Sequence, residues 1–285
     1  MTRAVIFAHY DIHGLIDPYV IEAMNVYRRH AEILLLVSAS ATSLPHELRK
    51  TVDIFISRSN IGYDFGSWKA GWLALKQRDS FDEIVFANDS VYGPLVDLAP
   101  AFNVTKCAAA DFWGMVLSEA HGLHVQSWFT VARRPVIQSE EFETFWHMAG
   151  NDMRRKNELI MQLEVGLSKM LVESEFSPSG IYDGRERPFV TYAERTPHVS
   201  ICQPLRSIKF IKKTLPWRMP FDPSLLFYRR LWDAGVPFIK RRLFDVNPYA
   251  LDLRRVADDL KEFSPLWKGL IEGHQDRLRR GVQKR

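Results

Sequence analysis

The chain has 285 residues, 46% hydrophobic and 25% charged, and its 38 basic and 34 acidic residues leave a formal net charge of +4. This composition excludes a disordered or collagen-like chain, and the length can bury a sizeable core, as one large domain or one domain with an appendage. No stretch nears the ~20 apolar residues of a membrane helix, and the apolar run in MTRAVIFAHYDIHG is too short for a signal peptide. Both features predict a cytoplasmic protein. Cys107 and Cys202 fit no metal or redox spacing and read as reduced, buried small hydrophobes.

AVIFAHY (4–10) is a continuous apolar run, as expected of a strand covered on both faces. After the turn-like DIHGLIDP, Pro18 opens a helix over YVIEAMNVYRRH, with Val20, Met24 and Tyr27 at helical spacing. EILLLVSAS (32–40) reads as a second buried strand, LPHELRK (44–50) as a short helix and VDIFIS (52–57) as a third strand. The loop RSNIGYDFGS (58–67) leads into a helix, WKAGWLALKQR (68–78), and EIVFA (83–87) is a fourth strand. Strands alternating with helices predict an α/β fold with a mostly parallel sheet and flanking helices. Such sheets bind ligands at the carboxyl ends of their strands, here His9 to Asp11, Ser38 to Ser40, Arg58 to Asp64 and Asn88 to Ser90.

The segment 111–134 reads as two antiparallel strands around a glycine-containing connection, and SEEFETFWHMAG (139–150) as a helix capped by Ser139. Residues 154–174 read as one or two further helical segments, and SPSGIYDGRERP (177–188) as a loop, the best candidate for a lid or a domain boundary. Beyond Pro216 the chain is helical and basic, which predicts a domain over 1–215 and a basic helical extension over 216–285 packed on it.

The cluster Asn88-Asp89-Ser90 has two readings. Asp89 holds a divalent cation (Mg²⁺ or Mn²⁺) that neutralises phosphates, or the three residues form an Asx-turn before Gly93-Pro94. In the loop, Gly62 and Gly66 let backbone approach a ligand, Asp64 is placed to accept hydrogen bonds, and the following helix offers its amides to an anion. The alternative is a plain strand-to-helix loop with Trp68 and Trp72 in the core. HVQSWF (124–129) sets His124, Gln126 and Trp128 on one face of a strand, a polar and aromatic surface suited to a sugar or simply an exposed sheet face. Glu164, between apolar neighbours, is a general base if the chain turns there and a surface charge if it lies mid-helix. His9, Asp11 and His13 lie in a turn and make a poor metal set. Basic residues interleaved with aromatic ones in 227–244 and 274–285 read as a solvated surface or an anionic membrane surface. No nucleic-acid motif is present.

Taken together, SNIGYDFGSWKAG (59–71), EIVFANDSVYGPL (83–95), DFWG (111–114), HVQSWF (124–129), FW (145–146), EVGLS (164–168) and PFIK (237–240) resemble the rhamnan synthesis protein F family in order and approximate spacing. The resemblance implies a glycosyltransferase of bacterial cell-surface polysaccharide or O-antigen assembly. Its donor would be a nucleotide-sugar, dTDP-rhamnose or a related one, and its acceptor lipid-linked or an oligosaccharide. More distantly, the chain is similar to inverting glycosyltransferases of the GT-A fold. By that similarity Asn60 and Gly62 correspond to a loop before a helix, Asn88-Asp89-Ser90 to the motif that binds metal and diphosphate, and Glu164 to the base. His9, Asp11, Asp64 and Lys69 then join Asn60, Gly62, Asn88, Asp89 and Ser90 on the donor side. Trp113, His124, Gln126 and Trp128 fall on the acceptor side. A non-catalytic glycan-binding subunit that keeps the fold is the alternative, supported by the single carboxylate in the metal motif.

Overall fold

The computed structural model describes residues 1–106, 108–119, 122–149, 160–185 and 222–282. The two cysteines and the boundary expected at 215/216 lie outside them.

Four parallel strands form one half of an eight-stranded sheet: β1 (Arg3–His9), β2 (Ile33–Ser38), β3 (Ile54–Ser57) and β4 (Glu83–Asn88), in the order β3-β2-β1-β4. The two-residue strand β5 (Val91–Tyr92) leaves this sheet. The sheet continues through β8 (Phe129–Arg133) to β6 (Phe112–Ser118), with β7 (His124–Val125) and β9 (Pro178–Asp183) also on β6. β8 runs antiparallel to β4 and to β6, β7 is antiparallel to β6, and β9 is parallel to β6. Six of the eight strands therefore share one direction.

Helices cover both faces, so the strands read as unbroken apolar runs. Val5 and Phe7 face a core with Tyr19, Val20, Met24 and Tyr27 of α1 (Pro18–Arg28); Ala4, Ile6 and Ala8 face a second core with Phe65, Trp68 and Trp72 of α2 (Tyr63–Ala74). Alternate side chains of a strand point to opposite faces, and here neither face meets water. Beyond α3 (Ala99–Lys106) and α4 (Arg134–Ile137), the helix α5 (Glu140–Met148) starts as expected, with Phe142 N–H donating to Ser139 Oγ at 3.2 Å.

Two expectations are corrected and a third, the helical segment after residue 154, is sharpened. α2 begins at Tyr63, five residues early, so Asp64 and Gly66 sit in its first turns. The expected loop 177–188 opens as strand β9, because Asp111 Oδ2 accepts from Ser177 N and Oγ at 2.8 and 2.7 Å and seats the chain on the open edge of β6. The segment 160–165 is a π-helical turn that continues into α6 (Gly166–Glu173). Such turns displace a side chain from its α-helical position and recur at functional sites.

The C-terminal residues form α7 (Pro223–Leu226), α8 (Tyr228–Asp233), β10 (Ile239–Lys240), α9 (Arg241–Asp245), α10 (Leu253–Phe263) and α11 (Pro265–Val282). Leu225, Phe238, Trp267 and Ile271 share the core of Val5 and Phe7, and β10 pairs antiparallel with β5. Of the aromatic residues that suggested a membrane-facing tail, Phe227, Trp232 and Phe238 are buried. Among the described residues no helix is long and apolar enough to cross a membrane.

Candidate functional site

Register brings the carboxyl ends of the parallel strands to one edge: His9 pairs with Ser38, Ser38 with Ser57, and Ala8 with Asn88. The glycine-containing loop lies on this edge. Gly62 has φ 74°, a left-handed conformation that suits glycine, and a Cβ on Gly66 would lie 2.1 Å from the Ile61 carbonyl oxygen. The loop is wrapped onto its own helix, with Asn60 exposed at its tip. Arg58 Nη1 ties it down by donating to Ser67 Oγ at 3.0 Å.

Of the two readings of Asn88-Asp89-Ser90, the turn forms, and the carboxylate read as a cation ligand holds an arginine instead. Asn88 makes the turn, its Oδ1 accepting from Ser90 N and Oγ at 3.0 and 2.7 Å, while its Nδ2 donates to Asp64 Oδ2 at 2.8 Å. Asp89, 5% exposed, holds a partner. Its Oδ2 accepts from Arg241 Nη1 at 2.9 Å, Tyr19 Oη at 3.3 Å and Tyr10 N at 3.4 Å. Burial alone would lower the pKa of Arg241; Asp89, with Tyr19 next, outweighs it and raises it. Arg241 was not legible as a site residue, although it directly follows PFIK.

Asp11 is also partnered from the C-terminal region. Arg277 on α11 donates from Nη2 to Asp11 and from Nε to Asp17 Oδ1 at 2.9 Å. The ligand atoms of Asp11, Asp17 and His274 lie within 4.8 Å of one another. Neither this group nor Asp89 fits a resident cation, because each already holds an arginine. His9, 1% exposed, lies within 2.9 Å of Ser38 Oγ through Nδ1, while its Nε2 has no partner. Burial pushes its pKa down, opposed first by Asp89.

Glu164 lies on the π-helical turn with its side chain 17% exposed, and its Oε1 accepts from Ser127 N at 3.0 Å. His124 Nε2 is 4.0 Å from the same oxygen. Glu164 and Ser127 are polar members of the lining of an otherwise mostly apolar cavity of about 20 Å³, room for about one water. The next residue links this group to the strand end, since Asn88 N–H donates to the Trp128 carbonyl at 3.3 Å. Asp64, Asn88, Ser127, Glu164 and His124 thus form one connected group.

Other expected site residues are placed elsewhere. The 124–129 segment is strand only at His124–Val125 and again from Phe129, so no continuous period-two face forms. Gln126 and Trp128 are buried, the Trp128 indole donating to Gln126 Oε1 at 2.7 Å and Gln126 Nε2 to Asp222 Oδ1 at 3.0 Å. Trp113 is fully buried between Phe102 and Phe129, with its Nε1 3.5 Å from Glu83 at the opposite end of β4, and so is a core residue. Lys69 Nζ donates to the carbonyls of His147 and Ala149, at 2.6 and 3.2 Å, and so is engaged by the end of α5.

Several known proteins are similar to this one. The virulence protein VirA of Vibrio anguillarum is 25% identical over 254 residues, 85% of this chain and 80% of that protein. The uncharacterized protein y4gN of Sinorhizobium fredii is 25% identical over 181 residues, 61% of this chain and 46% of its own length. Among solved structures, a CMP:2-keto-3-deoxy-manno-octonic acid synthetase complexed with CTP aligns with 64% of this chain and 90% of its own, at 9% identity and a TM-score of 0.37. A likeness at that level carries no argument, and the architecture above stands on its own strand order. The profile described as rhamnan synthesis protein F matches residues 34–206, more than half of the chain, from β2 through the glycine loop, Asp89 and Glu164. The chain belongs to the rhamnan synthesis protein F family.

Proposed function

We propose that the protein is a GT-A-like glycosyltransferase that moves a deoxyhexose, rhamnose by the family's description, from a nucleotide-diphosphate sugar to a growing bacterial cell-surface polysaccharide. The observation that carries this reading is the connected group at the strand edge. Glu164 is held by the Ser127 amide, and one residue on, Trp128 is hydrogen-bonded to Asn88 beside Asp89.

In this reading the donor lies across the strand ends, between the loop at Asn60–Asp64 and the Asn88–Ser90 turn, with its diphosphate towards Asp89 and Arg241. Glu164 Oε1 is fixed by one amide, which leaves its second oxygen to take the proton of an acceptor hydroxyl. The deprotonated oxygen attacks the anomeric carbon from the face opposite the diphosphate, that bond breaks, and the nucleoside diphosphate leaves with its electron pair. The sugar is transferred with inversion. His124, 4.0 Å from Glu164, orients the carboxylate and borders the acceptor.

General-base assistance of this kind is worth roughly 10²–10⁴-fold in rate. Glu164→Gln is therefore expected to lower transfer by about that factor while nucleotide binding, read by calorimetry, persists. Unchanged turnover removes Glu164 from the chemistry. Purified protein that binds nucleotide-sugars yet neither hydrolyses nor transfers them favours the non-catalytic glycan-binding alternative.

A further inference from the structure

We propose that Arg241, seated on Asp89, is the cation of the donor site: its guanidinium binds the diphosphate of the nucleotide-sugar in place of a divalent metal. This rests on the glycosyltransferase reading above and extends it to the chemistry of donor recognition.

Three observations carry it. The first is where Arg241 stands. β10 pairs with β5 immediately after the Asp89 turn, Lys240 opposite Val91, and the Arg241 amide donates to the Ser90 carbonyl at 3.1 Å. The C-terminal region thus delivers this one side chain to the carboxyl end of β4, where ligands of parallel sheets bind.

The second is how its donors are used. Nη1 alone makes the bonds of the guanidinium among the described residues, to Asp89 Oδ2 and the Asp89 carbonyl at 2.9 Å each and to Tyr19 Oη at 3.0 Å. Nε and Nη2, side by side on the opposite edge, make none, and neither is a buried orphan. The side chain is 17% exposed. An Nε–Nη2 edge is the planar pair of donors that matches two oxygens of one phosphate. Asp89 and Tyr19 hold it in place, so it loses little freedom when a diphosphate arrives.

The third is that metal at Asp89 would have to displace Arg241. A metal there would leave the Arg241 guanidinium a buried charge without its carboxylate. The neighbouring candidate group, Asp11, Asp17 and His274, is closed in the same way by Arg277. Beside the pair, His9 keeps an unpartnered Nε2 at 1% exposure, a polar atom the fold itself leaves unsatisfied.

The test is calorimetric titration of the full chain with a panel of nucleoside diphosphates and the matching monophosphates, in EDTA and in Mn²⁺. The wild type is expected to bind a nucleoside diphosphate in EDTA, with less than about a twofold change on adding Mn²⁺. Arg241→Ala is expected to weaken the diphosphate about 10- to 100-fold, the worth of one or two charged hydrogen bonds, and the monophosphate less. It also frees Asp89, so Mn²⁺ is expected to restore part of the binding only in this variant. If Arg241→Ala does not fold, Asp89→Asn with Arg241→Gln removes both charges together and serves the same comparison. Binding by the wild type only with Mn²⁺, or undiminished diphosphate affinity in the folded variants, overturns the proposal and leaves the glycosyltransferase reading intact. A wild type that binds no nucleoside diphosphate under either condition overturns both.

Discussion

Gly66 has no room for a methyl group. Its Cβ would meet the Ile61 carbonyl oxygen at 2.1 Å and Arg58 Nη2 at 2.5 Å, and a carbonyl in a tight loop yields less readily than the end of a side chain. Gly66→Ala is expected to destabilise the fold by about 1–3 kcal/mol, the usual range for overpacking, read as a lower urea midpoint. It is also expected to weaken nucleotide binding, because Asp64 beside it is fixed by Asn88 in the same turn. Residue type was a weaker guide where a side chain serves two purposes. Trp113 has the aromatic character of a sugar platform, yet its place on the inner face of β6 makes it core. Asp89 has the character of a metal ligand, yet it holds a guanidinium.

At the scale of elements, the helix α11 does more than extend the chain. Arg277 reaches Asp11 and Asp17 in the β1–α1 connection, and Gln275 Nε2 donates to Tyr92 Oη at 2.8 Å on β5. These contacts fasten the C-terminal helix to the loops at the strand edge. Arg277→Ala leaves two buried carboxylates without their cation and is expected to cost about 3 kcal/mol, the low end for breaking a buried pair because Arg277 is partly exposed. Hydrogen exchange is expected to quicken at residues 11–15 and along α11 while β1 and β2 stay protected. Uniform exchange across the whole chain would show instead that this contact is not a local fastening.

The whole molecule carries a pH dependence with a definite sign. Burial, helped by Arg241 and Arg277, pushes the pKa of His274 down to about 3, and burial lowers that of His9 as well. Between the ordinary value of 6.5 and about 3 the unfolded chain binds a proton at His274 that the folded chain does not. Stability is therefore fully present above pH 6.5 and is lost as the pH falls through that window. Each such histidine contributes at most about 1.4 kcal/mol per pH unit. Asp17 works the other way just above its ordinary 3.8, because burial raises its pKa, and makes the net slope shallower there. Urea titrations from pH 7 to pH 4.5 are expected to give a falling stability, and His274→Asn a flatter line. An unchanged slope in that variant would assign the acid sensitivity elsewhere.

The sequence by itself determined the parallel half of the sheet, the Ser139 cap and the carboxyl-end edge that carries the candidate site. Those features rest on local periodicity, capping and apolar runs, which act between neighbours along the chain. It also marked Asp89, at the end of an apolar strand, and Glu164, between apolar neighbours, because such carboxylates stand out against their surroundings. What occupies those carboxylates was decided only by tertiary structure. Arg241 lies 152 residues beyond Asp89, and Arg277 lies 266 beyond Asp11. No local signal separates these two arginines from the other basic residues around them. β9 and the π-helical turn are of the same kind. An open strand edge drew a loop-like segment into the sheet, and a displaced helical turn carried Glu164 to the Ser127 amide. Long-range pairing overrides local preference when it satisfies a buried charge or an unpaired edge, and in this protein it did so at the candidate site.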